Sequence, residues 1–250
     1  MDRTTDDADS ESLALVVSDL VKDYGESRAL KGISFSVKRG EVFGLIGPNG
    51  AGKTTALRIV STILQITSGS VSIFGVDISR RPHDARKMLS YLPEDAGAYR
   101  NLTGEEYLRF IARFFAEDNE GVSEIVSKGV EIADLGDRMR DKVDTYSKGM
   151  TRRLLVARAL MIGPKIAVLD ELTSGLDVLN AQEIRKIVKE TSRRGTTILL
   201  SSHNMLEVEL MCDRIALIND GRIVELGTPR ELKDRHGADN IEEVFTEVVS

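Results

Sequence analysis

The stretch GPNGAGKTT at 47–55 constrains this chain more than any other part of its sequence, because of what flanks it. Before it stands VFGLI at 42–46, an uninterrupted apolar run of the kind buried on both faces of a sheet; after it, TTALRIVSTIL at 54–64 has helical spacing. The order predicts strand, glycine-rich loop, helix. Gly47, Gly52, Lys53 and Thr54 fall at the spacing G-x-x-x-x-G-K-[ST]. In that context backbone N–H groups and the helix N-terminus converge on an anion, Lys53 reaches terminal phosphates, and the Thr54 hydroxyl suits Mg²⁺. Asn49, Gly50 and Thr55 complete the same cradle.

The 250 residues are 41% apolar with 21 Gly and 5 Pro, enough for one large domain or a domain with a lobe, and unlike a disordered or collagenous chain. The formal net charge of −6 is concentrated at the ends: residues 1–12 hold five acids against Arg3, and residues 234–250 hold five against Arg235. The middle is slightly basic. A groove that neutralises many phosphates shows a clear basic excess, so no nucleic-acid partner is expected. The single cysteine, Cys212, lies in an apolar run and reads as a small buried hydrophobe in a reducing compartment. The opening MDRTTDDADSES lacks the pattern of a secretory leader, and no apolar run approaches the ~20 residues of a bilayer span. The chain is not expected to cross a membrane by itself.

LALVV at 13–17 and ISFSV at 33–37 read as strands of an antiparallel edge layer, SVSIFG at 70–75 and LSYLP at 89–93 as further strands. From Thr103 the chain turns helical. Thr103 with Glu106 forms a capping-box signature, followed by helices at about Gly121–Ala133 and Ser147–Met161. KIAVLD at 165–170 is a central parallel strand ending in carboxylates, and a helix at Ala181–Arg194, a strand at Thr197–Ser201, a short helix from about Asn204 and a strand at Arg214–Asn219 continue the alternation. Last helices start near Arg230 and Ile241.

A phosphate loop needs a second anchor for its metal, and Asp170 at the end of IAVLD is placed to supply it. Glu171 beside it is the candidate general base, orienting and deprotonating the attacking water. His203 follows TTILLSS, which brings it to the same sheet edge as a candidate sensor of the γ-phosphate. Paired acids at a strand end also cap turns, and a lone histidine is more often structural; the phosphate loop upstream favours the functional reading. His83 and His236 sit in polar contexts and receive no role.

With TSGLD at 173–177, SSH at 201–203 and YSKGM at 146–150 added to the phosphate loop and IAVLDE, the chain from about Leu13 to Arg235 resembles the ATP-binding subunit of ABC transporters. The resemblance implies an α/β fold: a P-loop NTPase core with a mostly parallel sheet, an antiparallel β edge layer and an inserted helical subdomain at about 95–162. The ATPase domain would span 13–235, between an acidic tail at 1–12 and a short C-terminal extension at 236–250. It also implies an ATPase that uses ATP and Mg²⁺, dimerises head to tail around two nucleotides, and drives a separate membrane permease from the cytoplasmic face of the membrane, with a homodimer preferred.

By the same resemblance Tyr24 in KDYG stacks on adenine, and Ser147 and Gly149 contact the γ-phosphate held by the other subunit. Asp177 links the two sites across the dimer. YSKGM departs from the common LSGGQ at Tyr146, Lys148 and Met150, and Lys148 is read as an added positive charge toward that phosphate. Glu94 in YLPED replaces a glutamine that meets the metal, and Leu172 replaces a proline. YSKGM and YLPE together resemble the subgroup with separate export permeases (the ABC-2 type). The surface between Glu94 and the helix from Thr103, with Tyr99, is the expected permease contact. The competing reading is a soluble ABC-type ATPase acting on DNA or ribosomes; such relatives carry long coiled coils, zinc modules or two cassettes, whereas here Ser147 follows Lys53 by 94 positions without heptads. A small-molecule kinase would need an acceptor site in place of Glu171, YSKGM and His203.

Overall fold

The computed structural model describes residues 12–249, so the expected tail at 1–12 lies almost wholly outside the described residues. A long hairpin opens them: β1 (Leu13–Tyr24) pairs antiparallel with β2 (Ser27–Lys38), each 12 residues where the apolar runs suggested five. Apolar alternation breaks at Asp19, whose φ of 46° and the register shifts beside it mark a bulge, so the pattern reads as a strand end although pairing continues. Next come β3 (Val42–Ile46), α1 (Lys53–Val60), β4 (Ser68–Ile73) and the short β5 (Val76–Asp77). Helix α1 stops four residues before its apolar run does, at Ser61 and the left-handed Thr62.

After α2 (Pro82–Arg86) and β6 (Leu89–Leu92), halted at Pro93, the helical lobe follows as α3 (Gly104–Ala112), α4 (Asn119–Ala133) and α5 (Lys148–Leu160). Thr103 and Glu106 close a reciprocal capping box at α3, while Asp118 and Ser147 cap α4 and α5. Then come β7 (Ile166–Asp170), α6 (Val178–Arg193), β8 (Thr197–Ser202), α7 (Met205–Met211), β9 (Arg214–Asn219), β10 (Arg222–Gly227), α8 (Pro229–His236) and α9 (Ile241–Val249). Helix α6 begins three residues earlier than its apolar stripe because Asp177 accepts from Asn180 N and caps it.

Two sheets result, one antiparallel in the order β2-β1-β4-β5, the other β10-β9-β3-β8-β7-β6 and parallel apart from the β9–β10 pair. The parallel strands are apolar throughout because both faces are covered. Val42 and Ile46 of β3 point into one apolar layer and Phe43 and Leu45 into the other; Ala167 and Leu169 of β7 divide in the same way from Ile166 and Val168. One layer holds α1 and the antiparallel sheet, with Phe35 stacked on Phe43 at 5.3 Å between centroids. The other holds the helical lobe together with α6 and the end of the chain, where Leu232, Ile241 and Val244 are fully buried. Each such large apolar side chain contributes about 1.5–3 kcal/mol. Among the described residues no helix is long and apolar enough to cross a membrane.

Candidate active site

Parallel pairing sets the strand ends in one row: Ile46 lies beside Ser202, and Asp170 beside Ser201. The segments leaving β3, β7 and β8 therefore emerge at one sheet edge, where open α/β sheets hold their ligands. Gly47 is required there. A Cβ on it would lie 2.0 Å from the Ile218 carbonyl oxygen on β9. Gly52 has φ 107° and caps α1, and a Cβ there would press on the Ala29 carbonyl at 2.8 Å. Asn49 and Gly50 form the exposed tip, and Thr54 and Thr55 open the helix; all four line one cleft together with Lys53, Glu94 and Glu171.

Lys53 is 5% exposed, and its Nζ donates to the carbonyls of Gly47 at 2.8 Å and Pro48 at 3.1 Å. It stands 3.5 Å from Glu171 Oε1. The other oxygen of that carboxylate is 2.8 Å from His203 Nδ1, so the buried Glu171 lies between a lysine and a half-exposed histidine. Thr54 Oγ1 donates to Asp170 Oδ1 at 3.4 Å, and the same oxygen accepts from the Ser201 hydroxyl. Glu171 has φ 48°, a left-handed conformation that costs a side-chain-bearing residue of order 1–3 kcal/mol. Its N–H donates to Ser201 O and Oγ, both at 3.2 Å, and its carbonyl accepts from Arg152 Nη2 at 2.8 Å. Ser201 and Arg152 carry no role in the sequence reading. Ser201 stands in the SSH motif but only His203 is read from it, and Arg152 stands in none; each acts through a contact far along the chain.

Not every expected residue meets in this cleft. Ser147 caps α5 by accepting from Met150 N at 3.2 Å, and Gly149 lies against α6, where a Cβ would fall 2.1 Å from Asn180 Oδ1. Lys148 is exposed and reaches across its own chain: a Cβ on Gly175 would sit 2.2 Å from its Nζ. Asp177 accepts from Asn180 N at 3.0 Å and Nδ2 at 2.6 Å, which hold its carboxyl below the usual range. Tyr24 sits at the end of β1, about half exposed, with the Lys22 ammonium 5.1 Å from its ring centroid, and does not line the cleft. Cys212 is buried as read, its thiol pushed well up by desolvation.

Hydroxyl and carboxylate oxygens at Thr54 and Asp170, with Glu94 on the cleft wall, are hard donors that fit Mg²⁺. A glycine cradle at a helix N-terminus beside a buried lysine fits a nucleotide's phosphates. The ABC transporter family model matches residues 30–174, more than half of the sequence, with the phosphate loop, Glu94, Asp170 and Glu171 inside the match and Ser201 and His203 beyond it. The chain belongs to the ABC transporter family. Among ABC proteins it is 36% identical over 227 residues to the linearmycin resistance ATP-binding protein LnrL of Bacillus subtilis, covering 91% of this chain and 73% of the relative. It is 37% identical over 222 residues to the Nod factor export ATP-binding protein I of Burkholderia orbicola, covering 88% and 73%. Its fold matches that of cbiO1 from Clostridium perfringens, described as part of the ABC transporter complex cbiONQ, with a TM-score of 0.82, 27% identity and coverage of 90% and 92%. This ABC subunit binds and hydrolyses ATP, and subunits of its kind work with membrane permeases.

Proposed function

We propose that this ABC ATPase powers export, working as a homodimer around two Mg-ATP and acting from the cytoplasmic face on a separate permease. The observation that carries the catalytic part is the placement of Glu171 between Lys53 at 3.5 Å and His203 at 2.8 Å, at the mouth of the phosphate loop. The names of the drug-resistance and Nod-factor relatives support the export direction.

In this reading Glu171 takes the proton of the attacking water, and His203 holds the carboxylate in place through Nδ1. Lys53 exchanges its loop carbonyls for terminal phosphate oxygens. Thr54, Asp170 and Glu94 would hold Mg²⁺, which supplies neutralisation of phosphate charge. Tyr24 stacks on the adenine. The Ser147 hydroxyl and the Gly149 N–H, with Lys148 beside them, face the γ-phosphate bound by the second copy, and Asp177 stands at the seam between copies.

Glu171→Gln tests this directly. The variant should bind ATP, run as a dimer in size-exclusion chromatography with Mg-ATP, and lose at least ~100-fold in turnover, the lower end of the range typical of removing a general base. Turnover at the wild-type level would remove Glu171 from the role, and a monomer with bound Mg-ATP would refute the homodimer.

A further inference from the structure

We propose that Arg152 is a positioning residue for ATP hydrolysis, holding the backbone of Glu171 so that its carboxylate meets the attacking water. The inference rests on Glu171 being the general base. Arg152 lies on the second turn of α5, is 8% exposed, and sends Nη2 to the Glu171 carbonyl at 2.8 Å. Among the described residues no carboxylate comes within ion-pairing distance of it. A buried guanidinium spent on a neutral carbonyl is an expensive arrangement. Its compensation is the field of Glu94, Asp170 and Glu171, three carboxylates that Lys53 and Arg58 also face.

The backbone it holds needs holding. Glu171 is in the left-handed region, and the next residue is Leu172, which lacks the ring by which a proline would restrict it. On the amino side the Glu171 N–H is tied to Ser201 of β8; on the carboxyl side the carbonyl accepts from Ser174 N at 3.3 Å and, more closely, from Arg152. Releasing the Arg152 bond lets that peptide relax and swings the carboxylate away from its position against Lys53 and His203. Because Ser147 caps the same helix one turn earlier, movement of the α5 N-terminus reaches Glu171 through this guanidinium.

The test compares Arg152→Gln and Arg152→Lys in the full chain, measuring kcat, KM for Mg-ATP and ATP affinity by calorimetry, with Glu171→Gln in parallel. A displacement of about 1 Å in a reacting group lowers rate by up to ~100-fold. Arg152→Gln should therefore lose about 10- to 100-fold in kcat with KM and affinity within about twofold, and Arg152→Lys should recover most of the loss. A kcat within about twofold of wild type in Arg152→Gln overturns the proposal, and so does an equal loss of affinity and kcat in both variants, which marks a packing role. If Arg152→Gln fails to fold, Arg152→Met takes its place: a kcat lowered about 10- to 100-fold at constant affinity supports the proposal, and a kcat within about twofold of wild type overturns it. An inactive Glu171→Gln beside a fully active Arg152→Gln sinks only the role of Arg152; an active Glu171→Gln removes the base assignment, and the proposal with it.

Discussion

A single absent methyl group lets α5 and α6 meet. Gly149 faces Asn180, whose amide donates to Asp177, so one side chain lies between α5 and the end of the loop at 173–177. Alanine in a helix ordinarily gains about 1 kcal/mol over glycine, yet here its Cβ would lie 2.1 Å from Asn180 Oδ1. Gly149→Ala should destabilise by about 1–3 kcal/mol in urea unfolding, and Asn180→Ala should remove much of that loss, making the pair non-additive. The resemblance to ABC subunits singled out Gly149 and Asp177 one at a time. Asn180 was invisible because it carries no motif and its importance is a tertiary contact. Lys148 is legible as a charge on the motif, and the structure adds that within its own chain its ammonium lies against Gly175, a contact that no spacing announces.

Local chemistry made some elements easy to read. The Thr103–Glu106 box needs only four consecutive residues, and both of its bonds form, at 3.1 and 2.8 Å. Short edge elements such as β5, α2 and β10 were missed because a few residues carry too little periodicity to register. At the end of the chain, His236 joins three elements: Nε2 lies 3.1 Å from Glu225 Oε1 on β10 and Nδ1 3.4 Å from Glu247 Oε1 on α9, with Arg235 also paired to Glu225. The Glu225 bond first, then the Glu247 bond, raises the imidazole above its ordinary value of 6.5. A raised histidine stabilises the fold fully below that value, and the contribution fades as pH rises through the higher folded value. Unfolding midpoints of the wild type should fall across that window relative to His236→Gln, measured as urea midpoints over a pH series. Parallel curves would remove the clamp.

At the scale of the molecule, the helical lobe shares one apolar layer with the sheet, and this leaves an aromatic ridge uncovered on its outer side. Tyr99 stands edge-on to Phe110 at 5.4 Å, Phe110 to Phe114 at 5.4 Å, and Tyr99, Phe114 and Phe115 are each more than half exposed. A cleft beside it runs between β6 and the lobe, lined by Leu89, Tyr91, Ile111 and Phe114 with Arg86 and Arg158. Exposed aromatics in this number are what a partner surface offers, and Tyr99 belongs to the stretch expected to meet the permease. Tyr99→Ala with Phe114→Ala should leave ATPase activity of the purified subunit within about twofold. Recovery of a membrane permease from native membranes should fall by about tenfold or more, since one buried aromatic anchor commonly carries ~2 kcal/mol. Undiminished recovery would move the docking surface elsewhere.

Sequence alone determined the strand–loop–helix that cradles phosphates, the apolar strands that bring Asp170, Glu171 and His203 to one edge, and the capped start of the helical lobe. These follow from local spacing and from burial on two faces, which adjacent residues encode. Tertiary structure decided that Glu171 sits between Lys53 and His203, that Arg152 and Ser201 hold its strained backbone, that Gly149 packs against Asn180, and that the aromatic ridge stays outside. Most of these join residues that the chain keeps well apart, and their energies depend on distances that exist only once the sheet, α5 and α6 have packed together.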